Sequence, residues 1–172
     1  MQRRHLLARL ATTAALGALA GCGFRLRGSY TFRFRSLYLI GAGPVAQELR
    51  LALESSGAGV QVLDARLPRD RADVILDLQG EQRQRVVAGR SAGGQVRELQ
   101  LRITVRFRLI TPDGTELIPE TELAQQRDIS YNESQALAKE NEEVVLYRDM
   151  QSDLVQQLMR RLAVVRLQPL RP

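Results

Sequence analysis

Leu99, Leu101, Ile103, Val105, Phe107 and Leu109 alternate with Gln100, Arg102, Thr104, Arg106 and Arg108. No other stretch of the chain constrains its fold as tightly. Successive side chains of a β-strand point to opposite sides of a sheet, so this period of two predicts a long strand. One of its faces is apolar and belongs to a core. The other is polar and basic and belongs in water, which an antiparallel sheet permits. Such a sheet needs an amphipathic layer over its apolar side.

The flanking sequence supplies the partners. Val74, Leu76 and Leu78 alternate with Asp73, Asp77 and Gln79, although Ile75 breaks the pattern, and this predicts a strand over 73–87. Arg90-Ser91-Ala92-Gly93-Gly94 lies between the two runs and reads as a hairpin tip. Thr111-Pro112-Asp113-Gly114 has Pro and Gly where a turn uses them. It leads into a strand region at 115–131 that Pro119 interrupts or holds at a sheet edge. Upstream, Leu37–Ile40 reads as a buried strand closed by Gly41-Ala42-Gly43-Pro44, and 60–63 as a second short one.

Two segments are helical. Val45, Leu49, Ala52 and Leu53 recur at helical spacing over 45–55, with Pro44 in the first turn and Gly57 at the C-terminal cap. Leu146, Met150, Leu154, Leu158 and Leu162 recur every four residues, and Tyr147, Val155 and Met159 widen that stripe. Asn132 or Ser134 caps the start, the acidic stretch 140–143 suits an early turn, and Pro169 ends any continuation. The predicted fold is α+β: a two-layer sandwich with two helices packed on one face of a roughly four-stranded mixed sheet.

The N-terminus is an address. Arg3, Arg4 and Arg9 precede an apolar run over 10–19, too short to span a bilayer as a helix. Leu19-Ala20-Gly21-Cys22 follows, and Cys22 is the only cysteine. The stretch resembles the lipobox of bacterial lipoproteins, in which the cysteine carries a thioether-linked lipid after cleavage before it. The expected organisation is a signal peptide over 1–21, a lipidated tether over 22–35, one domain over 36–167 and a tail over 168–172.

Cleavage takes the net charge of +6 to +3 by removing Arg3, Arg4 and Arg9. That balance lacks the concentrated positive surface that nucleic-acid binding needs. His5 leaves with the signal peptide and the Cys22 thiol is used by the lipid. A mature His base, Cys nucleophile, His/Cys metal site or internal disulfide is thereby excluded. No catalytic residue, metal or cofactor is expected. Glu140 and Glu143 are three apart on a helix, but read as a solvated helix start.

The cations are the candidate binding groups. Arg102, Arg106 and Arg108 share the wet strand face, and Arg83 and Arg85 are expected to join them across the hairpin. Guanidinium forks of this kind hold phosphate or carboxylate, and equally keep a sheet from sticking to its neighbours. Arg90 stands at the glycine-rich tip. Lys139 is the single lysine beside 24 arginines.

Gly21-Cys22-Gly23-Phe24-Arg25-Leu26-Arg27 and Gln135-Ala136-Leu137-Ala138-Lys139-Glu140-Asn141-Glu142 together resemble the LptE family of lipopolysaccharide-assembly lipoproteins. The resemblance implies a non-enzymatic protein of the outer membrane, lipid-anchored on its periplasmic side. Gly23, standing where an inner-membrane retention signal would place Asp, agrees with that sorting. The family's partners are the LptD β-barrel, which such a lipoprotein plugs and helps assemble, and lipopolysaccharide in transit to the outer leaflet. The family's lipopolysaccharide-binding cations correspond to Arg90 and Lys139. A lipoprotein subunit of a different outer-membrane complex and an anchored hydrolase are the competing readings.

Overall fold

The computed structural model describes residues 30–63 and 66–167. Cys22, the cleavage site and the tail from residue 168 lie outside them. Strand β1 (Ser36–Ile40) leads to helix α1 (Pro44–Ser55) and strand β2 (Gln61–Leu63). Strands β3 (Val74–Arg90), β4 (Val96–Ile110) and β5 (Glu116–Ser130) follow, and helix α2 (Ala136–Ala163) closes the described chain. Short 3-10 turns sit at Arg69–Arg71 and Glu133–Gln135.

The sheet has five strands in the order β2-β1-β3-β4-β5, one more than the roughly four expected. The short strand expected at 60–63 is β2, whose three residues pair in parallel with β1 and complete the five. β1 also runs parallel to β3, while β3, β4 and β5 are successively antiparallel. β4 is the inner strand of this meander, which explains why its alternation is the cleanest. Leu99, Leu101, Ile103, Val105, Phe107 and Leu109 are all at most 3% exposed.

Both helices lie on one face, as expected. α1 buries Val45, Ala46, Leu49 and Leu53, and α2 buries Met150, Leu154, Val155, Leu158, Met159 and Leu162. Removing this apolar surface from water is the main stabilising term. Pro44 occupies the first turn of α1, and Gly57 follows its end with φ of +70°. Asn132 caps the 3-10 turn that precedes α2 by accepting the Ser134 N–H at 3.1 Å. Phe34 is buried and Tyr30 and Phe32 pack against the same core. The packed structure therefore begins inside the segment assigned to the tether.

Ile75, the residue that breaks the alternation of β3, belongs to a second and smaller core. Leu63, Tyr38, Ile75 and Ile110 form one row across four strands on the face away from the helices. Ala72, in the connection from β2 to β3, is buried with them, and the Arg69 guanidinium lies 5.6 Å from the Tyr38 ring centre. One end of the sheet is thus covered on both sides.

Candidate functional site

β3 outruns β1, whose last paired residue is Ile40 opposite Asp77. The remainder of β3 continues with β4 as a hairpin, so its outer edge meets no strand from Leu78 to Arg90. Gly80, with φ of +63°, marks a bulge between the pairs Gln79–Arg106 and Gln82–Thr104. One extra residue in a strand with period two reverses which side chains face which way.

That reversal corrects the expected arginine cluster. Arg83 and Arg85 stand opposite Ile103 and Leu101, on the helix face. Arg83 donates to Gln151 Oε1 at 2.9 Å and lies 5.4 Å from the Tyr147 ring centre. Arg85 Nε is 3.2 Å from Glu143 Oε1, a buried oxygen without an aligned hydrogen bond. These two arginines fasten the hairpin to α2 and do not join Arg102, Arg106 and Arg108. Tyr147 donates to Gln84 O at 2.7 Å in the same seam. Burial, then the charge of Glu143, push the Tyr147 hydroxyl above its ordinary pKa against the opposing pull of Arg83 and Arg85.

Arg102, Arg106 and Arg108 do share the wet face, and each has an acid beside it. Arg108 Nη2 is 2.9 Å from Asp77 Oδ2, Arg106 Nη1 is 3.7 Å from Glu120, and Arg102 Nη2 is 3.7 Å from Glu122. Asp77 is buried and also accepts from Gln79 Nε2 at 2.7 Å. The face is a ladder of opposite charges across strands, an arrangement that stabilises pairing. Sequence periodicity finds the arginines but not their partners, because Glu120 and Glu122 arrive from β5.

Arg90 and Lys139 both lie toward the hairpin end of the sheet. Arg90 is the last residue of β3, exposed, with Nη1 donating to Gly94 O at 3.0 Å across the tip. Lys139 is in the first turn of α2 and reaches back to Ser130, the last residue of β5. Ser130 pairs with Glu98, and Glu98 pairs with Gly89, the neighbour of Arg90. Two strand spacings, about 10 Å, separate those backbones. The ammonium is held, with Nζ 2.8 Å from Glu142 Oε2 and 3.2 Å from Ser130 Oγ. Glu142, to which sequence reasoning assigned no binding role, is therefore part of this site.

Among the described residues, no group of three or more His, Cys, Asp or Glu is arranged to hold a metal ion, and no helix is long and apolar enough to cross a membrane. The site is one of cations, Arg90 exposed and Lys139 half-buried.

The model of the family LptE, Lipopolysaccharide-assembly, matches residues 24–162. The chain is 30% identical over 167 residues to the LPS-assembly lipoprotein LptE of Yersinia pestis, covering 94% of this chain and 78% of that protein. It is 29% identical over 180 residues to the protein of the same name from Photorhabdus laumondii, covering 94% and 88%. The solution structure of lipoprotein B from Nitrosomonas europaea superposes with a TM-score of 0.69 at 29% identity, over 82% of this chain and 90% of that one.

Proposed function

Because this chain belongs to the LptE family, Lipopolysaccharide-assembly, we propose that it is a lipid-anchored plug of a partner β-barrel that binds lipopolysaccharide in transit. The observation that carries this reading is the family match from residue 24 to 162, which spans both the hairpin end and Lys139. In this reading residues 1–21 are removed and Cys22 bears the lipid on the periplasmic side of the outer membrane. The LptD barrel is the partner, and no catalytic step is involved.

The geometry supports it in two ways. Arg90 and Lys139 lie on different elements yet face one end of the sheet, where phosphate groups of an incoming lipid can bridge them. Phosphate accepts charge-assisted bonds from guanidinium and ammonium alike. The wet face of the sheet is polar and closely balanced in charge, which suits the polar interior of a wide barrel.

Two measurements test the two halves. Purification of the tagged chain from detergent-solubilised outer membranes is expected to recover a large β-barrel; recovery without one removes the plug reading. The Arg90→Glu/Lys139→Glu variant is expected to bind lipopolysaccharide at least about tenfold more weakly, with an unchanged circular dichroism spectrum. Wild-type affinity in that folded variant removes the binding reading.

A further inference from the structure

Arg90 and Lys139 are not equally ready for a ligand. Arg90 is exposed and donates to a neutral carbonyl, Gly94 O, which leaves most of its fork of donors available. The Lys139 side chain is only 15% exposed, and its ammonium touches a carboxylate and a hydroxyl of its own chain. We propose that Glu142 is a latch on this site: an incoming phosphate reaches Lys139 by displacing the Glu142 carboxylate. The inference rests on the reading of Lys139 as a phosphate ligand.

The exchange is physically reasonable. A phosphomonoester carries more charge than a carboxylate and offers three strong acceptor oxygens, so it competes well for the ammonium. Glu142 is 47% exposed at its side chain and one helical turn from Lys139, so it can rotate into solvent. Once phosphate is bound, like-charge repulsion keeps it there. Ser130 Oγ still accepts from the ammonium and holds the lysine at the end of β5. Glu142 thereby discriminates against weakly charged headgroups, which cannot displace it.

The latch is tested by titrating the full chain with purified lipopolysaccharide at low ionic strength. Glu142→Gln is expected to tighten binding about two- to threefold, the effect of losing one helical ion pair together with a nearby like charge. Glu140→Gln removes the same charge two residues away, from an exposed side chain with no ion pair among the described residues, and is expected to change affinity less. In a Lys139→Met background the advantage of Glu142→Gln over Glu140→Gln should disappear. Equal gains from Glu142→Gln and Glu140→Gln overturn the latch, because net charge alone then explains them. Persistence of the advantage without Lys139 overturns it too. A Lys139→Met protein with wild-type affinity instead overturns the underlying assignment of Lys139, which separates the two failures.

Discussion

Asp73 Oδ2 accepts the backbone N–H groups of Arg35 at 2.7 Å and Ser36 at 2.9 Å, fastening the start of β1 to the start of β3. Burial disfavours its charge, but these two N–H groups, the Ser36 hydroxyl and the Arg35 cation outweigh that and hold the carboxyl below its ordinary 3.8. A folded-state pKa below the unfolded value contributes stability that is present above the unfolded pKa and lost as pH falls through the folded one. Unfolding free energy should therefore drop as pH is lowered from about 5 to about 2. Asp73→Asn should flatten part of that dependence and lower stability at neutral pH by about 1 kcal/mol, a modest figure because solvent screens the exposed group. Urea titrations across that range check both. At the same scale, Glu81 Oε2 accepts the Val45 N–H at 3.0 Å and caps α1 from another element. Gly43 makes this possible, since a Cβ there would sit 2.9 Å from the carboxylate. The Gly-rich segment before α1 was legible as a boundary, while its remote cap was not, because Glu81 is distant in sequence.

At the scale of elements, the bulge at Gly80 decides what the hairpin arginines do. A Cβ on Gly80 would lie 3.2 Å from Arg106 Nη2, and the positive φ is unfavourable for any other residue. Downstream of it, Arg85 faces α2 and Glu143, while Arg102 remains on the wet side with its partner Glu122 at 3.7 Å. The two arginines should respond differently to truncation. Arg85→Ala leaves a buried carboxylate oxygen without its cation and is expected to cost about 1–2 kcal/mol. Arg102→Ala removes an exposed, loose pair and should stay within about 0.5 kcal/mol. Denaturant midpoints of the two variants at constant m-value measure the contrast. A strand's period of two is read from sequence with ease, but a single inserted residue shifts its phase. The glycine between Gln79 and Glu81 was the available signal, since isolated glycines in strands often mark bulges.

For the whole molecule, the sandwich is unevenly protected. β4 has a strand on each side and a helix layer above it, whereas β3 beyond Leu78 has one neighbour only. Tyr147 donating to Gln84 O shows that this carbonyl faces outward, and with it the backbone groups of Gln82 and Val86. Native-state hydrogen exchange should find the amides from Leu99 to Leu109 slowest and those of Gln82, Gln84 and Val86 among the fastest in the sheet. Uniform protection along the hairpin would contradict this layout. The gradient places mobility at the end that presents Arg90, while the anchoring contacts of Arg83, Arg85 and Tyr147 limit it.

Periodicity alone determined the two helices, the long strands and the side of β4 and of β3 before Gly80 that enters the core, because burial acts on every second or every third to fourth residue locally. Local turn chemistry likewise marked both hairpin connections. The tertiary structure alone decided how many strands pair, why Ile75 is buried, which face carries Arg83 and Arg85, and that Glu142 grips Lys139. The first two depend on what a second element brings from far along the chain. The third depends on the bulge at Gly80, and the last on where the start of α2 sits against Ser130. A strand reports its own alternation in sequence, but not which charges will stand across from it.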